Sequence, residues 1–166
     1  AEDGSTTVYG QRLGSNPIVL TNGSSVIRVN HADHGMYSTS NNVTITGVSS
    51  GISTTLNGAI TADGTSVTLT SNTNFPSSGT VHIKIDNEIM SGTISGSTIS
   101  SITRGQGSTT AAAHSNLATI ELYMINSVPL TEINKTHTAI ANIGIDSYTV
   151  SGSTSAVISG ASTTSQ

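Results

Sequence analysis

The sequence predicts an all-β chain: a small sandwich- or barrel-like β-module with a second β-module inserted in it. Three observations carry this expectation. Ser and Thr number 28 and 27 of 166 residues, beside 17 Gly and 13 Asn, while only 8% of residues are charged. Thr, Val and Ile fit the pleated surface of a strand, and Gly, Asn and Ser fit turns. Apolar and polar residues alternate in short bursts, the period of a half-buried strand, and no segment sustains an apolar stripe of helical period.

Taken in order, "SVIRVN" puts Val26 and Arg28 on one face and Ile27 and Val29 on the other. "NNVTITGV" aligns Val43 and Ile45, and "SVTLTS" aligns Val67 and Leu69. "TVHIKID" is the clearest case, with Val81, Ile83 and Ile85 inward and His82, Lys84 and Asp86 outward. Asp86-Asn87 then turns the chain, and "EIMSGTI" and "STISSI" form a hairpin across Ser95-Gly96, a dipeptide that tolerates positive φ. "ATIELYM" sets Ile120, Leu122 and Met124 against Thr119, Glu121 and Tyr123, and "HTAIANI", "DSYTVSG" and "SAVISG" follow. About ten strands fit this length. Helix is expected only as one or two turns, at "TTAAAHSNLA" behind Thr caps and at "PLTEINKT".

Incomplete sheet material before and after a full meander implies the insertion. The expected division is an N-terminal arm or linker over 1–23 and an outer β-module split between 24–55 and 125–152. An inserted β-module follows over 56–124, and a C-terminal strand or arm over 153–166. Both ends are small and polar, like arms that order against a partner.

Composition also bounds function. With one Phe, four Tyr and no Trp, the core falls to Val, Ile and Leu, and such a thin interior gains from neighbouring subunits. The absence of cysteine removes a disulfide framework and thiolate metal sites, and suits assembly in a reducing cytoplasm. A net charge of −4, with cations scattered at Arg12, Arg28, Lys84, Arg104 and Lys135, lacks the basic footprint of nucleic-acid binding. No apolar run reaches the length of a membrane span, so membrane insertion is not expected.

Two stretches invite chemistry. "TRGQGSTTAAAH" (103–114) has the glycines of a phosphate-binding loop but neither its Lys nor a long following helix. The residues suit a turn better, with Gly105 and Gly107 reversing the chain and Arg104 capping carbonyls or pairing with a carboxylate such as Glu88. In "NHADHGM", a strand would put His31 and Asp33 on one face and His34 on the other, and a metal would need a ligand from elsewhere. A turn at His34-Gly35, with the imidazole bonded to backbone, is the simpler expectation. There is no Gly-x-Ser-x-Gly elbow, the carboxylates sit mostly at turns or strand ends, and there is no aromatic platform for a sugar. The reading therefore assigns no catalytic, cofactor-binding or metal residue and expects a non-enzymatic protein.

The stretch "GTVHIKIDNEIMSGTISGSTISSITRGQGSTTAAAH" resembles a module of tailed-bacteriophage structural proteins. There an "I-x-x-E-I" step, a hairpin, "TRG", a short spacer, "GT/ST" and a His follow in order. The matching positions are Ile85, Glu88, Ile89, Thr103, Arg104, Gly105, Ser108, Thr109 and His114. Met90-Ser91 departs from the aromatic often found after "EI". The flanks resemble a second phage module, "HxxHG" followed by "VTITG", "LN-x-THTI" and "YTV". Here it is carried by His31, His34 and Gly35, by Val43 to Gly47, by Ile133 to Thr138 and by Tyr148 to Val150. The resemblance, over about residues 24–151, is to virion proteins of phages of marine bacteria, including cyanobacteria. It implies a virion structural protein, tail-, baseplate- or fibre-associated, that is assembled in the host cytoplasm and then released. Its partners would be other copies of itself and other virion proteins, in a homo-oligomer. Capsid decoration and a host-surface adhesin are the alternatives.

Overall fold

The computed structural model describes residues 12–37, 39, 42–158 and 163–165. It is nearly all β, with 44% strand and 2% helix. The strands are β1 (Ile18–Thr21), β2 (Val26–Asn30), β3 (Val43–Thr44), β4 (Ser53–Thr55), β5 (Val67–Thr68), β6 (Ser78–Ile85) and β7 (Glu88–Ser95). They continue as β8 (Thr98–Gln106), β9 (Thr119–Leu122), β10 (Met124–Ile125), β11 (Val128–Pro129), β12 (Thr136–His137), β13 (Ser147–Ser151) and β14 (Thr163–Ser165). These fourteen exceed the expected ten because several are two-residue ladders, too short to show a period. Two compact units emerge: Ser49–Thr131, and the chain through Val48 together with that from Glu132. The first is wider than the expected 56–124 because β4, at 53–55, pairs with β9.

The Ser49–Thr131 unit is a curled six-stranded half-barrel sheet in the order β4-β9-β6-β7-β8-β5, with every pair antiparallel. Alternation sets its inner face: Val81, Ile83 and Ile85 of β6, Ile94 of β7, Ile99 of β8 and Ile120 of β9 are all 0% exposed. Asp86-Asn87 makes the first turn, since Ile85 pairs with Glu88. The next turn is Gly96-Ser97 rather than Ser95-Gly96, because Ser95 pairs with Thr98; Gly96 takes the positive φ, +60°. The β7–β8 ladder shifts register twice, near Ser101 (φ +52°) and Gly105 (φ +61°). Such bulges add twist and bend the strand, which suits a curled sheet. The curl presses β8 onto Gly92, where a Cβ would lie 2.7 Å from both Ile99 Cγ2 and the Ser100 carbonyl oxygen. The outermost strands then meet: Leu56 bridges Leu69, with Asn57 N–H donating to Thr68 O at 2.8 Å and Thr70 N–H to Thr55 O at 2.9 Å.

The expected helix at 109–118 does not form. Glu88 accepts from the Ala112 N–H and Arg104 donates to the Ala112 carbonyl, so side chains hold the peptide groups a helix would use. "PLTEINKT" yields one 3₁₀ turn, Leu130–Glu132.

The other unit holds an antiparallel sheet in the order β13-β2-β1-β14 and the separate pair β3–β12. Ile18, Leu20, Ile27, Val29, Tyr148 and Val150 form its buried face, while Val26 and Arg28 face outward. Residues 18–21 were expected within an arm; they are instead the strand β1, and residues 1–11 of that arm lie outside the described residues. In the 153–166 segment, Thr163–Ser165 pairs with β1.

Candidate functional site

The stretch 103–114 folds into a buried ionic clasp. Glu88 stands at the start of β7, just after the Asp86-Asn87 turn, and is 1% exposed. Arg104, near the end of β8, grips it with two parallel bonds: Nε to Oε1 at 2.7 Å and Nη2 to Oε2 at 2.8 Å. The remaining guanidinium hydrogens go to carbonyls. Nη1 donates to Thr61 O (2.8 Å) and Gly64 O (3.1 Å), and Nη2 also donates to Ala112 O. All five Arg104 donors are thus engaged. Glu88 accepts further bonds from the N–H groups of Gly105 and Ala112, each at 3.0 Å.

His114, 3% exposed, completes the clasp between two carboxylates, with Nε2 2.8 Å from Glu88 Oε2 and Nδ1 2.7 Å from Asp86 Oδ2. The ring thus spans the two carboxylates, one at each nitrogen. Its backbone pairs with Ile60 at 2.9 and 3.0 Å. Burial alone would raise the Glu88 pKa, but Arg104, the Ala112 N–H, His114 and the Gly105 N–H outweigh it and hold the carboxyl at about 2. Arg104 is pushed up in turn, chiefly by its bonds to Glu88. The geometry stitches the 59–64 and 107–114 loops to the β7–β8 hairpin, and no oxygen of the buried carboxylate points to solvent.

Gly107, not Gly105, makes the turn after β8, beside Ser108 (φ +65°); Gly105 lies within the strand. Sequence reading pairs Arg104 with Glu88 but misses that His114 reaches back to the same carboxylate. The available signal was that Asp86, in the two-residue turn, and Glu88, just after it, form a carboxylate pair two residues apart.

In the other unit, His31, Asp33 and His34 lie in a loop rather than on a strand, with Asp33 at φ +53°. The rings of His31 and His34 are 5.7 Å apart, and each approaches Tyr148, at 5.9 and 5.5 Å. His34 is 2% exposed: its Nδ1 accepts from the Met36 N–H at 3.0 Å, and its Nε2 donates to the Gly144 carbonyl at 2.8 Å. Asp33 N–H donates to Asp146 Oδ1 at 3.2 Å, and His31 N–H to the Asp146 carbonyl at 2.8 Å. Burial, and then the neighbouring His34, push His31 down, while burial pushes Tyr148 up to about 12. Beside them an open concavity of about 330 Å³ is lined by Pro17, Arg28, Asn30, His31, Asp146 and Ser147 among others.

A third polar knot escaped the sequence because its partners are about twenty residues apart. Glu132 accepts from the backbone N–H and the hydroxyl of both Ser153 and Thr154, at 2.6–3.0 Å. Burial opposes its ionisation, but these bonds prevail and lower its pKa.

Among the described residues no group of three or more His, Cys, Asp or Glu side chains is placed to hold a metal ion. None of their helices is long and apolar enough to cross a membrane. Compared with protein-family models, curated proteins and solved structures, the chain matches none.

Proposed function

We propose that the chain is a non-enzymatic structural protein of a tailed-phage virion, working through contacts between subunits. One observation carries the reading: the residues of the phage-like stretch best suited to chemistry are spent on holding the fold. Glu88 is bonded to both Arg104 and His114 and has no oxygen left for a substrate. The resemblance then gains a physical sense. Its "E", "R" and "H" positions are three members of one clasp, so a module that needs the clasp must keep all three.

Cysteine-free, charge-poor sheet structure supports the same role. Such a chain folds in a reducing host cytoplasm, and burial against neighbouring copies adds to a modest core. Tail, baseplate or fibre association is the preferred position within the virion, with other virion proteins as partners. Negative-stain electron microscopy and light scattering of the full chain test this: symmetric oligomers or particles are expected. A compact monomer at all concentrations, or an oligomer-free chain that binds host envelope polysaccharide as an adhesin would, overturns the reading.

A further inference from the structure

We propose that Asn57-Gly58 is a site of spontaneous deamidation and that Asn116 is the residue that restrains it. Asparagine is thermolabile, and the reaction needs only water and a solvent base. The Gly58 nitrogen gives up its hydrogen and bonds to Asn57 Cγ, and the side-chain nitrogen leaves as ammonia. Water then opens the cyclic imide, on one side to aspartate and on the other to isoaspartate, in which the main chain runs through the former side chain. A following glycine suits the step, since it has no Cβ to hinder the attacking nitrogen. Around Gly58 the space a Cβ would face is open for 4 Å, and Asn57 and Gly58 are both exposed, so water reaches them.

Two such steps stand in the sequence, Asn22-Gly23 and Asn57-Gly58, and in both the attacking nitrogen is engaged. Gly23 N–H donates to the Ala156 carbonyl at 2.9 Å, and Gly58 N–H donates to Asn116 Oδ1 at 2.8 Å. A nitrogen whose hydrogen is bonded must first be freed, so each bond slows the reaction by about what it is worth. The two restraints differ in kind. That on Gly23 is main chain, whereas that on Gly58 is a single exposed side chain, which a substitution can remove. Asn116 is brought to Gly58 by the main chain beside it: Leu56 N–H donates to Ala118 O at 2.9 Å, and Leu117 N–H donates to Leu56 O at 2.8 Å. Asn57 also lies where conversion would matter, because its own N–H donates to Thr68 O at 2.8 Å. Isoaspartate would lengthen the main chain there, next to the Leu56–Leu69 bridge that joins the outer strands.

Incubation of the full chain in warm, mildly alkaline buffer tests this, with conversion at each asparagine followed by peptide mass spectrometry and isoaspartyl methyltransferase labelling. Asn116→Ala is expected to speed conversion at Asn57 about three- to tenfold, the worth of one hydrogen bond, and to leave Asn22 unchanged as the internal reference. Asn116→Asp keeps an acceptor and sets a negative charge against loss of the Gly58 proton, so Asn57 should convert no faster than in the unaltered chain. Unchanged conversion at Asn57 in N116A, equal acceleration at Asn22, or N116D as fast as N116A overturns the inference. Should N116A fail to fold, amide hydrogen exchange of the unaltered chain decides: a Gly58 amide that exchanges as freely as in urea overturns it, and a protected one supports it.

Discussion

The clasp around Glu88 and the loop pair around His34 use buried histidine in opposite ways. His114 sits between two carboxylates, with one ring nitrogen 2.7 Å and the other 2.8 Å from a carboxylate oxygen. His34 sits between two peptide groups and can serve both only while neutral. The partners of the first can only accept, whereas those of the second are one donor and one acceptor. A buried imidazole is thus no guide to acid behaviour until its partners are named, because donors and acceptors around it select the protonation state.

The strongest way to break this contrast is to remove the anion at the centre of the clasp. Glu88→Ala leaves Arg104, 11% exposed, with two donors and a charge unanswered, a loss of about 3–5 kcal/mol. Urea denaturation should register it, and hydrogen exchange should show β6–β8 failing while β1–β2 hold. Equal loss in both units would sink the idea that the clasp serves its own unit. Next in size is Gly92→Ala, whose Cβ would meet Ile99 and the Ser100 backbone at 2.7 Å. Overpacking of this kind costs about 1–3 kcal/mol, and the thermal midpoint should fall accordingly.

Acid sharpens the comparison further. The Glu88 carboxyl is held at about 2 against an ordinary 4.5, so the folded state binds fewer protons than the unfolded state between those values. Its stabilisation is whole above about pH 4.5 and is lost as pH falls through about 2. Burial, seconded by His34, lowers His31, and burial lowers His137, both from 6.5, so the unfolded chain takes up their protons first. The stability of their unit should therefore decline as pH drops below about 6.5. Limited proteolysis across this range should cut the unit that holds His31 and His137 at about pH 5 while Ser49–Thr131 stays intact; simultaneous cleavage would contradict the assignment. The smallest effect is expected from Glu132→Gln, which keeps an acceptor for Ser153 and Thr154 but gives up the charge. About 1 kcal/mol should be lost, measured by the same urea titration.

Much of the sheet could be read in advance wherever alternation ran for four residues or more, as in Val81 to Ile85 and Ile120 to Met124. Alternation reports which face is buried, and that is what a sheet packed on one side requires. It fails for the paired Met124–Ile125 and Val128–Pro129, where two residues hold no period. The alanine run misleads for a different reason: helix propensity is worth tenths of a kcal/mol per residue, and two charged side chains bonding the N–H and the carbonyl of Ala112 exceed it. The Glu88–Arg104 pair was within reach because the chain has few charges to match. The bridge by His114 was not, since it depends on the path of a loop. The Glu132 knot and the Tyr148 ring stack depend likewise on tertiary approach.

The meeting of the two outer strands at Leu56 and Leu69 bears on how this unit would age outside a cell. Proteases commonly draw a substrate into their cleft as an added strand, and aggregating chains recruit one another the same way; both need a free row of peptide groups. Thr55, Asn57, Thr68 and Thr70 have already turned theirs toward each other. The half-barrel has spent its own edge on itself, and durability against digestion follows from closure as much as from the size of its core.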